Sequence, residues 1–421
     1  MPSSGNLVRW LVDSLADRGR SFLGSVSRAP IERLCLDLVS ERGEASGTAI
    51  AHEITSRYYK LNGADRLRFF VSLLTDSWLA DPDEILRLAR EYHAHPGAAE
   101  LARLFPAAEP RRQELFRRIN TSPRGTEAIV EMRKDLLALL PKHRNLSPIN
   151  ADLVHLLSSW FNRGFLELKR IDWRTPAIVL EKLIAHESVH EIRGWPDLRR
   201  RLERDRRCFA FFHPALPDEP LIFVEVALTR GMAPAIQPLI DLASPPADPT
   251  GADTAVFYSI NNCLEGLRNI SFGAFLIKQV VHELQTDVPA VKNFVTLSPI
   301  PGFRDWLASQ KDRASEAKEP LLRACARYLA ARRPDGRAFD PVAAFHLSNG
   351  ASIERINWMG DSSDKGMRQS FGLLVNYAYR PARIERNHEQ YAKGGRVAMS
   401  DDVRALLEPV TVKEASRKRV N

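Results

Sequence analysis

Thr254-Ala-Val-Phe-Tyr-Ser-Ile260, then Asn261-Asn-Cys-Leu-Glu-Gly266-Leu-Arg268-Asn-Ile-Ser271-Phe-Gly273, then Ala274-Phe-Leu-Ile-Lys278-Gln-Val-Val-His-Glu-Leu284, and finally Val291-Lys-Asn-Phe-Val-Thr-Leu297 followed by Ser298-Pro-Ile-Pro-Gly302-Phe303 form one continuous unit. The first run has strand length and is rich in β-branched and aromatic residues. The second is irregular and carries glycine. In the third, Leu276, Ile277, Val280, Val281 and Leu284 recur at helical spacing on one face. The fourth is again strand-like and ends on a hydroxyl before a rigid Pro-x-Pro-Gly turn. The order strand, loop, helix, strand predicts a parallel pair joined by a right-handed crossover. Amides at the start of a helix are unpaired and point outward, and Arg268 adds a fixed positive charge beside them. The loop is therefore built to receive an anion, and the unit reads as phosphate-bearing cofactor chemistry at strand ends.

Outward from this unit, strand-like runs at Cys208–Phe212 and Leu221–Leu228 continue an α/β style of sequence, and the proline-rich Ser244–Pro249 is an excursion between two strands. From Ile31 to Leu140 the pattern is helical throughout. Leu67, Phe70, Val71 and Leu74 form one apolar face, Ile85, Leu88 and Ala89 start another, and Ile129, Met132, Leu136 and Leu140 make a third. Breaks at His95-Pro-Gly97, Pro106–Pro110 and Ser122–Gly125 separate these segments. A further helix is expected around Leu153–Leu166. The chain thus divides into a helical bundle, residues 1–160, and an α/β part, residues 161–421. The tail from Glu408 to Asn421 has a solvated composition.

The 421 residues suit two domains, and 44% hydrophobic with 27% charged residues is ordinary for a globular protein. A net charge of +8 favours an anionic partner without naming it. No stretch has the roughly 20 uncharged apolar residues of a membrane helix. Cys35, Cys208, Cys263 and Cys325 lie far apart without metal spacing and read as reduced thiols. Residues 1–20 carry Asp13 and Asp17, unlike a transit peptide, so the expected location is cytoplasmic, with no membrane association.

Three motifs compete for chemistry. His186-Glu-Ser-Val-His190 fits the HExxH pattern of zinc proteases, but Gly194-Trp-Pro196 ends the segment at once, so a helix end is the better reading and no metal is expected. Arg199-Arg-Arg-Leu-Glu-Arg-Asp-Arg-Arg207 lacks interleaved aromatics, and its Glu203 and Asp205 suggest ion pairs on a solvated helix face, with Arg206 and Arg207 alone close enough to a strand to reach a ligand phosphate. In Phe345-His-Leu-Ser-Asn349-Gly350-Ala351, Asn-Gly is a tight-turn signal that places His346 at a strand end. Ser298 likewise is, by pattern alone, a strand terminator before proline.

Taken together, Phe257–Ile260, Gly273–Leu284, Leu297–Phe303, Phe345–Ala351, Arg355-Ile-Asn-Trp-Met359, Asn376-Tyr-Ala-Tyr379 and Gly125–Leu136 resemble malonyl-CoA decarboxylases over about residues 50–380. The resemblance implies a two-domain α+β fold: an all-helical bundle followed by an acyl-CoA N-acetyltransferase-like (GNAT-like) catalytic domain with a mixed central sheet. It implies a carboxy-lyase of fatty-acid metabolism that converts malonyl-CoA to acetyl-CoA, with no cofactor beyond the coenzyme A of its substrate. It implies Ser298 and His346 as the catalytic pair, Ser259 and Tyr379 in support, and Arg268, Asn269, Ile270, Ser271, Phe272, Gly273 and Ala274 as the loop for the coenzyme A diphosphate. Animal members carry glutamate where this chain has Ser271. The family also implies a homo-oligomer, dimer or tetramer, assembled through the helical domain.

The chemistry suits such residues. Loss of CO2 from a malonyl thioester leaves an enolate, which an oxyanion donor stabilises and a proton source quenches. His346 is expected to supply the proton, with Ser298 positioning the malonyl group and relaying it; either can be the immediate donor. An acetyltransferase of the same superfamily is the alternative. A nucleic-acid binder, suggested by charge alone, would leave Ser298 and His346 without a task, so no nucleic acid partner is expected.

Overall fold

The computed structural model describes residues 29–40, 44–270, 276–310 and 317–408. Two compact units emerge, one helical and one built on a sheet. The helical unit contains α1 (Ile31–Ser40), α2 (Glu44–Tyr58), α3 (Gly63–Ser72), α4 (Pro82–Ala94), α5 (Ala98–Ala107), α6 (Arg111–Asn120), α7 (Gly125–Leu139) and α8 (Ser147–Trp160). Of the predicted apolar faces, Phe70, Leu88, Ile129, Met132 and Leu136 are in the core, Leu67, Leu74, Ile85, Ala89 and Leu140 are half-buried, and Val71 is exposed. Proline stands in the first turn of α4 (Pro82) and α8 (Pro148), where a missing amide costs nothing. The helix expected to run to Leu166 ends at Trp160, and a single 3-10 turn at Arg163–Phe165 follows.

The described part of the predicted anion loop, Leu264–Ile270, also belongs to this helical unit. Gly266 sits against α7, where an added Cβ would lie 1.9 Å from the Val130 carbonyl oxygen. Arg133, buried in the same helix, donates to the carbonyls of Gly266 (2.5 Å) and Arg268 (2.9 Å) and, through Nε, to Asn150 (3.2 Å). Burial, with Arg268 nearby, brings the Arg133 guanidinium down to about 10, which still leaves it charged at neutral pH. A buried cation without a carboxylate is costly, and three carbonyl-type acceptors are what make it tolerable.

The second unit holds an eight-stranded mixed sheet in the order β1-β2-β3-β4-β5-β8-β6, with β7 on the other edge of β8. Its strands are β1 (Glu167–Ile171), β2 (Arg206–Phe212), β3 (Ile222–Thr229), β4 (Thr254–Asn262), β5 (Asn293–Thr296), β6 (Ser298–Pro299), β7 (Ser352–Asn357) and β8 (Leu374–Ala378). Its helices are α9 (Ala177–His186), α10 (Trp195–Arg201), α11 (Leu276–Asp287), α12 (Phe303–Ser309), α13 (Lys318–Ala330), α14 (Pro341–Ser348), α15 (Asp364–Ser370), α16 (Pro381–Gly394) and α17 (Asp401–Ala405), with a single turn at Gln237–Ile240. β4 and β5 are the parallel pair that the opening unit predicts, and every other pairing is antiparallel. One face of the sheet buries Ala227, Val256, Tyr258, Val295, Leu297 and Leu374 in a common core with Ile236 and Leu239.

Two expectations need correction. The arginine-rich run is not a solvated face: Arg200, Arg201 and Arg206 are buried. Arg201 pairs with Glu225 (2.7 Å), Arg200 with Asp205 (2.9 Å), and Arg206 with Asp205 and the Leu239 carbonyl. Arg207 pairs with Asp287, so neither Arg206 nor Arg207 is left for a ligand phosphate. The acidic partners Glu225 and Asp287 come from other elements, which local spacing cannot reveal. Second, His346 is not at a strand end but in the last turn of α14, which Asp340 caps and Pro341 starts. Asn349-Gly350 closes this helix instead of a hairpin, with Gly350 at φ 83° as the left-handed residue after the cap.

Gly266→Ala should force the loop off α7. Such overpacking costs typically about 1–3 kcal/mol, so thermal unfolding should shift down by several degrees; an unchanged midpoint would mean that the loop does not pack on Val130.

Candidate active site

β4 and β5 run together only as far as the Phe257–Thr296 pair, and the Leu297 amide still reaches the Phe257 carbonyl (2.8 Å). Beyond it the chain turns to pair with β8 instead, Ser298 opposite Val375 and Pro299 opposite Leu374. Proline has no amide to continue a ladder, so the separation persists. The second half of β4 is left without a neighbour on that side. A cavity of about 300 Å3 opens in the gap. Ser259, Ile260 and Asn262 of β4 line it, together with Ser298, Pro299, Phe345 and His346. Val189, Ile222, Val224 and Ile277 make most of the remaining wall apolar.

Ser298 and His346, 48 residues apart, meet here: serine Oγ lies 3.1 Å from imidazole Nε2. The other ring nitrogen, Nδ1, lies 2.7 Å from the Tyr379 hydroxyl. The serine hydroxyl also donates to Thr296 Oγ1 (2.8 Å). With that proton on Thr296, Nε2 must donate to Ser298 and Nδ1 must accept from Tyr379. The result is one directional series: Tyr379 to His346 to Ser298 to Thr296. Tyr377 stacks on the imidazole at 4.6 Å between centroids and 25° between planes. His346 is 3% exposed. Loss of water around it pulls its pKa down to about 3, and the same burial drives the Tyr379 phenol well above its ordinary value. Both groups are therefore neutral at physiological pH.

Ser259 lines the same cavity but turns its hydroxyl to Glu187 Oε2 (2.7 Å) and not to the Ser298–His346 pair. Asn261 donates to the same carboxylate oxygen (2.8 Å), and the amides of Val189 and His190 donate to Oε1 (2.7 and 2.8 Å). The HExxH string is thus a helix end, as expected: α9 stops at His186, and Glu187 is the anchor of a buried network. Among the described residues, no three His, Cys, Asp or Glu side chains are grouped to hold a metal. Of the predicted diphosphate loop, Arg268 and Asn269 are exposed, Asn269 has φ 65°, and Ile270 is buried. Ser271, Phe272, Gly273 and Ala274 lie outside the described residues. Sequence reasoning missed Thr296, Tyr377, Glu187 and Asn261. Tyr377 on β8 sits two residues before Tyr379, which follows the strand directly, so the alternation of Asn376-Tyr-Ala-Tyr379 carried that signal.

Profiles of two domain families match the chain: the malonyl-CoA decarboxylase N-terminal domain over residues 78–161, and the malonyl-CoA decarboxylase C-terminal domain over residues 164–322 and 308–418. The mitochondrial malonyl-CoA decarboxylase of Rattus norvegicus is 33% identical over 90% of this chain and 86% of its own length. Crystal structures of malonyl-CoA decarboxylases from Agrobacterium vitis (48% identity, TM-score 0.84, 90% of this chain and 100% of that one) and Rhodopseudomonas palustris (46%, 0.84, 89% and 98%) are similar throughout. Among the described residues no helix is long and apolar enough to cross a membrane.

The neutral imidazole has a consequence for stability. An unfolded histidine takes up a proton below about pH 6.5, while the folded His346 refuses it down to about pH 3. Stability should therefore fall as pH drops through this window, by about 2 kcal/mol at pH 5 from this residue alone. Denaturant titrations of the wild type and His346→Gln at pH 7 and 5 should show the wild type losing more; equal losses would place the imidazole in a solvated setting.

Proposed function

The chain belongs to the malonyl-CoA decarboxylase family, and from that premise we propose that it converts malonyl-CoA to acetyl-CoA and CO2 through a thioester enolate, with the Ser298–His346 pair supplying the proton. The observation that carries this reading is the hydrogen-bonded series Tyr379–His346–Ser298, whose histidine and serine line a mostly apolar cavity. At about 300 Å3 the cavity suits the acyl end of the substrate, not a whole coenzyme A.

The substrate brings its own electron sink. When the bond between the α-carbon and the carboxylate breaks, its electron pair moves into the α-carbon–carbonyl bond, and charge gathers on the thioester oxygen. Apolar walls favour this step, because a carboxylate leaves as uncharged CO2 and the remaining charge is spread out. The α-carbon then takes a proton. Ser298 is the immediate donor in this reading: its hydroxyl, which at rest points to Thr296, turns to the α-carbon while His346 Nε2 stays on the serine oxygen behind it. The Nε2 proton refills serine, and the charge left on the imidazole is met at Nδ1 by the Tyr379 hydroxyl. One solvent proton restores the pair after product leaves, which balances the reaction. An imidazolium donor, natural for an ordinary histidine, is disfavoured by the pull of His346 down to about 3. Arg268 and the neighbouring loop amides are assigned to the coenzyme A diphosphate.

His346→Asn and Ser298→Ala should each lower kcat by about 10²–10⁴-fold while coenzyme A affinity changes little, read by CO2 release and by calorimetry. An unchanged kcat in both variants would end the assignment. Arg268→Ala should raise KM with kcat preserved, because phosphate contacts are equal in ground and transition states; a loss confined to kcat would move the diphosphate elsewhere.

A further inference from the structure

Toward the opposite end of the strands from the Ser298 cavity lies a groove of about 550 Å3 that shares no lining residue with it. The strand register places it: the groove reaches Ser352 and Arg380, beside the Ser352–Ala378 pair, whereas Ser298 pairs with Val375. Its walls converge five arginines, Arg380, Arg383, Arg386, Arg396 and Arg404, against the carboxylates of Glu354 and Asp401. Arg380 is already satisfied, clasping Glu354 with both terminal nitrogens at 2.9 and 2.8 Å. Arg404 lies 3.9 Å from Asp401. The side chains of Arg383, Arg386 and Arg396 have neither a hydrogen bond nor an ion pair among the described residues.

The imbalance is not relieved locally. α16 has acidic residues, but Glu385 pairs with Lys278 (3.6 Å) and Glu389 with Lys393 (2.7 Å). Arg383 and Arg386, three apart, share the helix face that lines the groove, and Gln390 adds an amide one turn on. Like charges so spaced repel unless a counter-charge joins them. Arg396 and Arg404 come from the segments after the helix, so the cations gather from two sides of a concave surface.

We propose that this groove is a second anion site, taking a multiply charged phosphate ester of small size, a nucleoside di- or triphosphate by chemical class. Guanidinium forks pair bidentately with phosphate oxygens, and a single negative charge would leave two of the three unpaired arginines unmet. The volume suits a small molecule and not a nucleic-acid strand. The occupant would rest on an element in contact with the helix of His346. Asn387 of α16 donates to the Gly350 carbonyl (3.1 Å), and a ring nitrogen of His388 lies 2.6 Å from the Ser348 carbonyl. Gly350 itself meets α16 so closely that a Cβ would lie 2.2 Å from the Ile384 carbonyl oxygen.

The test is calorimetric titration of the full chain with inorganic pyrophosphate at physiological salt, with the alanine variants separating this groove from the substrate's own diphosphate site. One saturable site is expected, weakened about ten-fold or more by Arg383→Ala and by Arg386→Ala, and less by Arg386→Lys, which keeps the charge and loses the fork. Basal CO2 release of the variants, expected to be unchanged, reports that they are folded. ATP should bind more tightly than tripolyphosphate; equal or weaker binding of ATP would overturn the nucleoside part of the proposal. Two results would overturn the proposal: no saturable binding, or binding indifferent to both alanine variants.

Discussion

β5 leaves β4 after Thr296, and the rest of the site depends on that departure. Were the parallel ladder to continue, Ser298 would face a β4 neighbour and the space now lined by Ser259, Ile260 and Ser298 would be filled. What holds the chain in its new course is a set of bonds around Thr296. Its carbonyl accepts from Asn376 (2.7 Å), and its hydroxyl accepts from the Tyr377 amide (3.1 Å) and from Ser298 (2.8 Å). Asn376 is in turn fixed by Arg355 and Asn357. Strand edges parted in this way expose backbone groups that must find partners, and side chains of β7 and β8 provide them. The same polar residues that close the accounts of the parted sheet set the direction of the serine hydroxyl.

Burial decides the protonation states at the site. A histidine with one partner in water would titrate near neutrality, but His346 is stacked on Tyr377 and sealed from solvent, which favours its uncharged form. Both ring nitrogens still have partners, so the neutral imidazole is held in one orientation without any carboxylate beside it. This differs from a serine–histidine–aspartate arrangement, where an anion stabilises the imidazolium. The absence of a carboxylate partner on Nδ1 is consistent with chemistry that ends by giving a proton, not by taking one from serine.

The fold was readable where periodicity was strong and local. β4, α11 and β5 appear where the apolar β-branched runs and the helical spacing put them, and Ile277, Val280, Val281 and Leu284 are buried as one face. The helical unit was equally legible. β1 was not, because it is an edge strand with only Ile171 fully buried, so no alternation marks it. Asn349-Gly350 misled because a left-handed glycine ends a helix as readily as it turns a hairpin; Asp340-Pro341, a capping residue and a first-turn proline, was the signal that distinguishes them. The arginine run misled because its partners, Glu225 and Asp287, lie far off in sequence. For the site, the pairing of Ser298 with His346 came from resemblance; nothing in local pattern links positions 48 residues apart.

Arg133 and Glu187 mark the limit of such reading from opposite directions. Arg133 stands in a helix where an arginine normally reads as a solvated charge, yet it is buried and spans the carbonyls of Gly266 and Arg268. Glu187 stands in a string that resembles a catalytic glutamate, yet each of its oxygens accepts two hydrogen bonds. A carboxylate so fully engaged orients the hydroxyl of Ser259 and the amide of Asn261 instead of carrying a proton. Both are long-range hydrogen-bond anchors, one for the Gly266–Arg268 segment and one for the cavity wall at Ser259. Residue type gives the charge, but only the count of partners tells whether that charge acts on substrate or on the backbone that will meet it. By that count Ser298 and His346 line the cavity as an uncharged alcohol and an uncharged imidazole, and Arg133 and Glu187 are scaffolding.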